Sequence, residues 1–392
     1  MPENTRPART ATLGLLSLAL AMGIGRFAFT PLFPMMQQDG TLDIPGGSLL
    51  AAANFVGYWM GALSAAALPM PPRNALRLAL IATGLVTAAM GFTEHYWLWL
   101  ALRWLAGLFS AWTLIIVSNH VIRALAEAGE TGRQGWVFAG VGTGIALAGI
   151  ACLGFMVAGL SANASWIALG GGTLLLAGLL SLLIGAEVPT IRKRAADGAS
   201  ERTPLVWRVV IAYGTMGLGY IIPATYLPLM ARQIVPDPMV FGWSWPVFGL
   251  AAALSTIAAR NLFARHGNRK VWAAGQAVMA LGLLLPALAP NMATIILSGL
   301  MVGGTFMVIT MAGMKEAHVI APPGDVSRHI AVLTTAFATG QIVGPPAASL
   351  LRELTGSFST GLLGAAVLLL LTALPIATRC GYATSRGTAP TS

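Results

Sequence analysis

Long apolar segments separated by short polar turns follow one another along the whole chain. Each apolar segment has about 20 residues, which is the length that an α-helix needs to cross the hydrocarbon core of a bilayer. The turns between them carry prolines, glycines and charges, as at 70–74 and 265–270. The pattern predicts an all-α membrane protein with twelve transmembrane helices. These are expected at 12–36, 47–69, 75–93, 97–122, 134–158, 164–186, 206–231, 240–262, 271–289, 292–314, 329–351 and 358–378.

The first apolar segment follows Arg6 and Arg9, a beginning that a cleaved signal peptide would share. Its apolar run is longer than the hydrophobic region of a signal peptide and continues past any cleavage site. We therefore expect an uncleaved first membrane helix.

Basic residues are distributed unevenly between the two predicted faces of the membrane. If the N-terminus is cytoplasmic, nineteen of the 23 lysines and arginines lie on the cytoplasmic side, and only Arg232 and Arg352 lie outside. The remaining two, Arg26 and Arg103, fall within predicted spans. Because cytoplasmic loops of membrane proteins are enriched in lysine and arginine, both termini are expected in the cytoplasm, and the alternation supports the helix count.

The composition agrees with a surface that mostly faces lipid. Of the 392 residues, 56% are hydrophobic and 9% are charged, whereas an ordinary soluble protein is about 25% charged. The net charge of +10 resides in loops rather than on one face of a domain, which argues against a nucleic-acid partner. Both cysteines lie in or beside apolar segments, and no phosphate-binding loop or nucleophile–base constellation is present. We therefore expect no disulfide framework, metal site, cofactor or enzyme activity.

The second half of the chain repeats the first. At a shift of 194 residues, 22–36 aligns with 216–230, and Arg26 falls on Tyr220. An even number of helices per repeat gives both halves the same orientation, with a binding site near the midplane between them. The predicted units are a six-helix bundle at 1–187, a cytoplasmic linker at 188–205 and a six-helix bundle at 206–392. Glycines of the fifth and eleventh helices are expected to form packing faces, namely Gly140, Gly144, Gly149, Gly340 and Gly344.

Several motifs resemble those of a known family. LALRWLAG (100–107) resembles the fourth-helix pattern of the major facilitator superfamily, in which an arginine is followed four residues later by glycine. GRFAFTPLFP (25–34) and GQIVGPPAAS (340–349) are similar to the bacterial YbfB/YjiJ branch of that superfamily. The loop LPMPPRNALR (68–77) departs from the family pattern because it has no acidic residue.

The resemblance implies a fold and a location. It implies a monomeric, multi-pass transporter of the bacterial inner membrane, built as two pseudo-symmetric six-helix bundles. In this family, helices 1, 4, 7 and 10 line the central cavity. The resemblance would therefore place Arg26, Arg103 and Tyr220 around one space, where they are candidates for substrate binding.

Arg26 lies in the middle of the first apolar segment. An arginine at the centre of a bilayer costs about 2.5–3.5 kcal/mol on insertion scales, and it does not usefully deprotonate. None of the thirteen acidic residues lies in the middle of a predicted span. One hypothesis is that an anionic substrate supplies the missing charge, since a guanidinium binds a carboxylate or phosphate through two parallel hydrogen bonds. The other is that Arg26 binds helix carbonyls that are freed by Pro31 and Pro34.

Other polar residues within spans are also candidates. Asn54 and Gln341 are lone amides that either bind substrate or link helices by hydrogen bonds. Arg103 either gates the site or extends its charge towards the membrane surface. His120 is the only histidine well within a predicted span, and Glu316 is the acid nearest to a span centre. These two are the candidates for proton coupling.

The favoured function is secondary transport by alternating access. The two halves would rock about a midplane site to move a small organic anion or another small solute, coupled to protons or to exchange of a counter-substrate. Efflux of amphipathic drugs or metabolites is the alternative within transport. A non-transporting membrane sensor and a channel are alternatives of other classes, although no selectivity filter or ring of charges is present.

Overall fold

The computed structural model describes residues 5–184, 203–322 and 325–377, and these ranges fold into helices without a strand. Twelve long helices are found there: α1 (Pro7–Gln38), α2 (Ile44–Ser64), α3 (Pro72–Phe92), α4 (Tyr96–Glu127), α5 (Thr131–Val157), α6 (Ala162–Leu183), α7 (Trp207–Ile234), α8 (Pro238–His266), α9 (Asn268–Leu288), α10 (Met292–Ile320), α11 (Val326–Thr355) and α12 (Ser359–Ala377).

Eleven of these helices are long and apolar enough to cross a membrane. The other one, α2, has 21 residues and packs against α4 and α11. Every predicted segment overlaps one of the twelve helices, so the prediction of an all-α membrane protein with twelve spans is confirmed.

Side-chain caps explain where some of the helices begin. Asp43 accepts a hydrogen bond from the backbone N–H of Gly46 (2.8 Å) at the start of α2. Asn291 and Thr294 form a reciprocal capping box at the start of α10. Each cap satisfies N–H groups that the first helical turn leaves without a partner. A turn of a few residues is therefore enough to end one span and begin the next.

The first six helices meet the last six along two long contacts, α5 against α8 and α2 against α11. In the α5–α8 contact, a Cβ atom added to Gly142 would lie 2.3 Å from the backbone nitrogen of Ala253. A Cβ atom added to Gly249 would lie 2.3 Å from the backbone nitrogen of Ala146. Because no side chain fits at these distances, glycine is required on both helices for their backbones to approach this closely.

The glycines predicted to form packing faces do so. A Cβ atom on Gly144 of α5 would lie 2.2 Å from the carbonyl oxygen of Ala19 on α1, and one on Gly340 of α11 would lie 2.3 Å from that of Gly214 on α7. The other predicted glycines in close helix contacts are Gly140, Gly149 and Gly344. The first and fifth helices of each repeat therefore pack together in the same way.

The helices α1 and α7 also contact each other at the face of the bundle opposite the N-terminus, which we call the far face. The Thr30 hydroxyl donates to the carbonyl of Ala224 (2.5 Å), and Arg232 Nη1 donates to the carbonyl of Pro34 (2.6 Å). The second contact places a positive charge at the C-terminal end of α1, where the helix dipole favours it. Hydrogen bonds therefore hold the two sets of helices together at the far face.

The predicted linker falls mostly outside the described residues, which resume at Thr203. The backbone N–H and the hydroxyl of Thr203 donate to Asp325 Oδ2, at 2.9 and 2.7 Å, immediately before α11. Both chain ends, 1–4 and 378–392, also lie outside the described residues. The division into two domains joined by a linker therefore stays a prediction, as does the side of the membrane on which the termini lie.

Candidate functional site

Arg26 lies at the end of a π-helical stretch of α1, Ala19–Arg26, just before the α-helix resumes. At this break, the N–H of Thr30 bonds to the carbonyl of Phe27 (3.2 Å), and Pro31 has no N–H. The Arg26 carbonyl is therefore left without the helical partner that Thr30 or Pro31 would otherwise supply. The break presents a cationic side chain and a backbone acceptor at the same place in the bundle interior.

Arg103 of α4 binds the backbone at this break. Its Nη1 donates to the carbonyl of Gly25 (3.2 Å) and its Nη2 to the carbonyl of Arg26 (2.9 Å). The structural role that the sequence suggested for Arg26, the binding of freed helix carbonyls, therefore belongs to Arg103. The alternative that Arg103 extends to the membrane surface is wrong, because its side chain is 3% exposed and turns inward. Asn54 of α2 donates from Nδ2 to the Arg103 carbonyl (2.9 Å) and holds α4 in turn.

Arg26 itself is surrounded by aromatic rings and one amide. Its Cζ lies 3.8 Å from the ring centroid of Tyr58, and 5.0 and 5.3 Å from those of Phe55 and Phe27. Its Nη2 donates to Gln341 Oε1 on α11 (2.8 Å), and its Nε has no partner. The negative faces of aromatic rings attract a guanidinium, so the rings offset part of the cost of burying this charge.

Neither buried arginine is neutralised by a carboxylate of the described residues. Among the described residues, the ion pairs of aspartate and glutamate involve neither Arg26 nor Arg103. Arg26 is 3% exposed, so little of its side chain reaches solvent. A buried charge normally has a paired counter-charge, and Arg26 is therefore incompletely satisfied.

Gln341 and Tyr220 extend the hydrogen bonding of Arg26 into the second repeat. Gln341 Nε2 donates to the Tyr220 hydroxyl. The Tyr220 ring lies nearly parallel to those of Phe306 and Phe337, at centroid distances of 5.1 and 5.6 Å and interplanar angles of 7° and 5°. A hydrogen-bonded chain therefore runs from α1 through α11 to α7, across the boundary between the two sets of helices.

The structure brings all five predicted binding residues into one hydrogen-bonded network, which comprises Arg26, Asn54, Arg103, Tyr220 and Gln341. Each of them is at most 3% exposed. The network is closed from solvent in this state, so access requires movement of helices. Substrate binding by these residues stays a prediction.

Sequence reasoning missed the aromatic residues around this network. Tyr58 follows Asn54 by four residues and therefore lies on the same face of α2, a spacing that could have revealed it. No comparable signal marks Phe306 or Phe337, because aromatic residues in membrane spans also pack in cores and at interfaces. Their contribution is visible only in three dimensions.

The two predicted coupling residues lie away from the break in α1. Glu316 is at the end of α10, where Oε1 accepts from Arg269 Nε (2.6 Å) and Oε2 accepts from Asn268 Nδ2 (2.8 Å). His120 is half-buried in a second π-helical stretch, Val117–Val121 of α4. The geometry gives Glu316 a structural role at the start of α9, and coupling by either residue stays a prediction.

The structure also buries a histidine that the sequence analysis did not single out. His329, in the first turns of α11, is 2% exposed, and its Nδ1 lies 3.1 Å from the backbone carbonyl of Asp325. The Asp325 carboxylate also accepts from Arg328 Nε (2.8 Å). Hydrogen bonds from Arg328 and Thr203 hold the pKa of the Asp325 carboxyl well below its usual range. This cluster therefore anchors the beginning of α11.

Comparisons with known proteins agree on the fold. The nucleoside transporter NupG, in a mutant form, superposes with a TM-score of 0.74 at 14% identity, covering 95% of this chain and 98% of that one. The human organic anion transporter MFSD10 (TETRAN) gives 0.64 at 15% identity, covering 96% and 100%. A bacterial homologue of the human lysosomal transporter Spinster, inward-facing and unoccupied, gives 0.69 at 13% identity, covering 95% of each chain. These similarities show a shared fold.

The sequence comparison identifies the family. No curated protein matches the chain. Residues 18–377 match the family described as "Uncharacterised MFS-type transporter YbfB", which is nearly the whole of the helical part. The chain therefore belongs to the YbfB-type family of the major facilitator superfamily, whose members are membrane transporters rather than enzymes.

Proposed function

We propose that the protein is a secondary transporter of small organic anions and that Arg26 binds the anion. The observation that carries this proposal is the state of Arg26: it is buried, the described groups beside its donors are neutral, namely the Gln341 amide and the Tyr220 hydroxyl, and its Nε has no partner among the described residues. A carboxylate would neutralise the charge and occupy the free donor. Charge-assisted pairs of this kind are about twice as strong as neutral hydrogen bonds.

Gln341 supports this interpretation because its Oε1 occupies a position that a carboxylate oxygen would take. We therefore regard the Gln341 amide as a neutral substitute for the substrate when the site is empty. Arg26 belongs to α1 and Gln341 to α11, so a substrate that replaces Gln341 also breaks a contact between the two sets of helices. Binding is thereby coupled to movement, as alternating access requires.

The source of energy follows from the same network. Glu316 is paired with Arg269 in this state, and it is not available to exchange protons near Arg26. We propose that the proton enters with the substrate as its weak acid, or that one anion is exchanged for another. By analogy with NupG, which is named a nucleoside transporter, the substrate would instead be neutral. A neutral solute, however, leaves the Arg26 charge without a counter-charge.

The test is transport by the purified protein in liposomes, measured as counterflow of a labelled carboxylate with and without a pH gradient. Arg26→Gln and Arg26→Lys are both expected to lower anion transport by about 10- to 100-fold, since each loses a charge-assisted or bidentate contact. Lysine keeps the charge but not the planar pair of donors, so it separates bidentate binding from simple attraction.

Arg123→Gln is the matched control. It also removes one positive charge, but Arg123 is exposed, and its ion-pair partner within the described residues is Glu127 in the next turn. This variant is expected to transport at the rate of the natural protein. Anion transport that persists in Arg26→Gln, with only a lower yield of folded protein, would show that Arg26 is structural and would refute the proposal.

A further inference from the structure

We infer that the preferred substrate is an aromatic monocarboxylate. This inference rests on the proposed function, because it concerns the anion that Arg26 would bind. Two independent features of the site carry it. The first is the number of guanidinium groups whose terminal nitrogens can pair with a carboxylate, and the second is the arrangement of aromatic rings on both sides of Arg26.

Two arginines are buried at the site, but the described backbone carbonyls hold the terminal nitrogens of only one of them, Arg103. Both terminal nitrogens of Arg103 donate to the backbone carbonyls of α1, at 3.2 and 2.9 Å, so this side chain is already engaged. Arg26 is left as the cation available to a ligand. A single carboxylate can pair with Arg26, whereas the second carboxylate of a dicarboxylate would find both terminal nitrogens of Arg103 occupied and would lie buried without a well-paired hydrogen-bond partner. The available donors therefore favour a single carboxylate.

Aromatic rings form the wall on the side of the first six helices. Tyr58 and Phe55 of α2 and Phe27 of α1 all lie within 5.3 Å of the guanidinium carbon, measured to their centroids. Apart from the Tyr58 hydroxyl, these side chains offer a ligand no polar group. A ligand hydroxyl or amide group that faces this wall beyond the reach of the Tyr58 hydroxyl would stay unpaired, and unpaired buried polar groups are costly.

The wall on the side of the last six helices is a stack of flat rings. Tyr220 lies between the nearly parallel rings of Phe306 and Phe337, and Phe306 also stacks on Phe248. Phe27 connects the two walls, since its centroid is 6.4 Å from that of Phe306. When Gln341 releases Arg26 and the walls separate, a planar ring attached to the carboxylate can contact aromatic faces on either side.

Binding of labelled benzoate to the purified protein in nanodiscs tests this inference. Scintillation proximity at pH 7.5 is measured in competition with cyclohexanecarboxylate, succinate and benzamide. Cyclohexanecarboxylate has the same charge and nearly the same size without an aromatic face, and it is expected to bind about 2- to 10-fold more weakly than benzoate. Succinate has two carboxylates and benzamide has none, so both test the preference for a single carboxylate. Each is expected to bind at least about tenfold more weakly than benzoate.

A ring variant tests which wall is responsible. Tyr220→Leu is expected to reduce the preference for benzoate over cyclohexanecarboxylate towards equality. Phe109→Leu is the matched control, because Phe109 of α4 pairs with Trp112 and contacts none of the rings around Arg26. It is expected to keep the preference unchanged.

The outcomes separate this inference from the proposed function. Equal binding of benzoate and cyclohexanecarboxylate, tighter binding of succinate, or no binding of benzoate would each overturn the inference. If the favoured anion then still requires Arg26, the proposed function stands. If benzoate binds equally well to Arg26→Gln, both the inference and the proposed function fail.

Discussion

Arg26 and Arg103 carry the same charge at the same burial, yet the protein satisfies them in different ways. Arg103 has two carbonyl acceptors, whereas Arg26 has one amide and three aromatic rings. The sequence marks both as unusual because both are charges in apolar segments. The sequence does not tell which arginine binds backbone carbonyls, because that depends on where α1 departs from regular helical hydrogen bonding.

A single substitution at Gln341 tests whether its amide takes the place of a substrate carboxylate. Gln341→Glu is expected to abolish anion binding, because the new carboxylate pairs permanently with Arg26. The same pairing is expected to raise the midpoint of thermal unfolding of the ligand-free protein. Benzoate binding and thermal unfolding in detergent, measured on the same preparation, check both expectations.

Gln341→Ala tests the opposite change, the loss of any side-chain partner for Arg26 at this position. It removes the competing amide, so the ligand-free protein is expected to unfold at a lower temperature and to gain more thermal stability when benzoate is added. An unchanged affinity in both Gln341 variants would mean that the amide does not compete with the ligand.

The binding residues could be predicted in part, and the reason is chemical. Charges and amides within apolar spans are rare and costly, which is why Arg26, Asn54 and Gln341 stand out in the sequence. The rings of Phe306 and Phe337 do not stand out, because an apolar ring is unremarkable in a membrane helix. Tyr220 was found through its alignment with Arg26 in the repeat and through the resemblance that places helices 1, 4, 7 and 10 around the cavity.

Among the helices, α1 depends most on close packing. Its π-helical stretch lies against α5, where a Cβ atom on Gly144 would be 2.2 Å from the Ala19 carbonyl, and one on Gly23 would be 2.3 Å from Gly144 Cα. Hydropathy predicts the span but not the π-helix, because an extra residue per turn leaves the average apolarity unchanged. The existence and order of the spans were therefore predictable, whereas their ends differ from the predicted ones by up to about six residues and the local geometry that aims Arg26 was not predicted.

Gly144→Ala is expected to push α1 away from α5. Overpacking of this kind costs about 1–3 kcal/mol, and the displaced π-helical stretch carries Arg26. The variant is therefore expected to unfold at a lower temperature and to bind benzoate more weakly. Gly154→Ala is the control in the same helix, because nothing lies within 4 Å of its added Cβ atom. It is expected to bind benzoate normally, and equal behaviour of the two variants would contradict the packing argument.

At the level of the complete protein, the contact at the far face follows the repeat. Thr30 and Ala224, which are joined by a hydrogen bond, are 194 residues apart, the shift that relates the two halves of the sequence. The two residues occupy equivalent positions in the two repeats, so the contact joins the first helix of one repeat to the first helix of the other. The repeat was evident in the sequence, whereas the closed state at this face was not.

Cross-linking tests whether this contact must open during transport. In a background of Cys152→Ala and Cys380→Ser, the pair Thr30→Cys and Ala224→Cys is treated with a short bifunctional thiol reagent. Transport of labelled benzoate into liposomes is expected to stop on cross-linking, because alternating access requires the far face to separate. Each single-cysteine variant with the same reagent is the control. Full transport by the cross-linked protein would show that the far face does not open.

The π-helix of α1 takes up one residue more between Ala19 and Arg26 than regular α-helix would. A π-helix contains a residue more than an α-helix with the same number of turns. Losing a single codon between positions 19 and 25 would therefore let this stretch become α-helical, while the segments before and after it keep their directions. A relative that differs by this deletion would keep its arginine and its hydropathy profile, yet lose the wide turn that ends at Arg26.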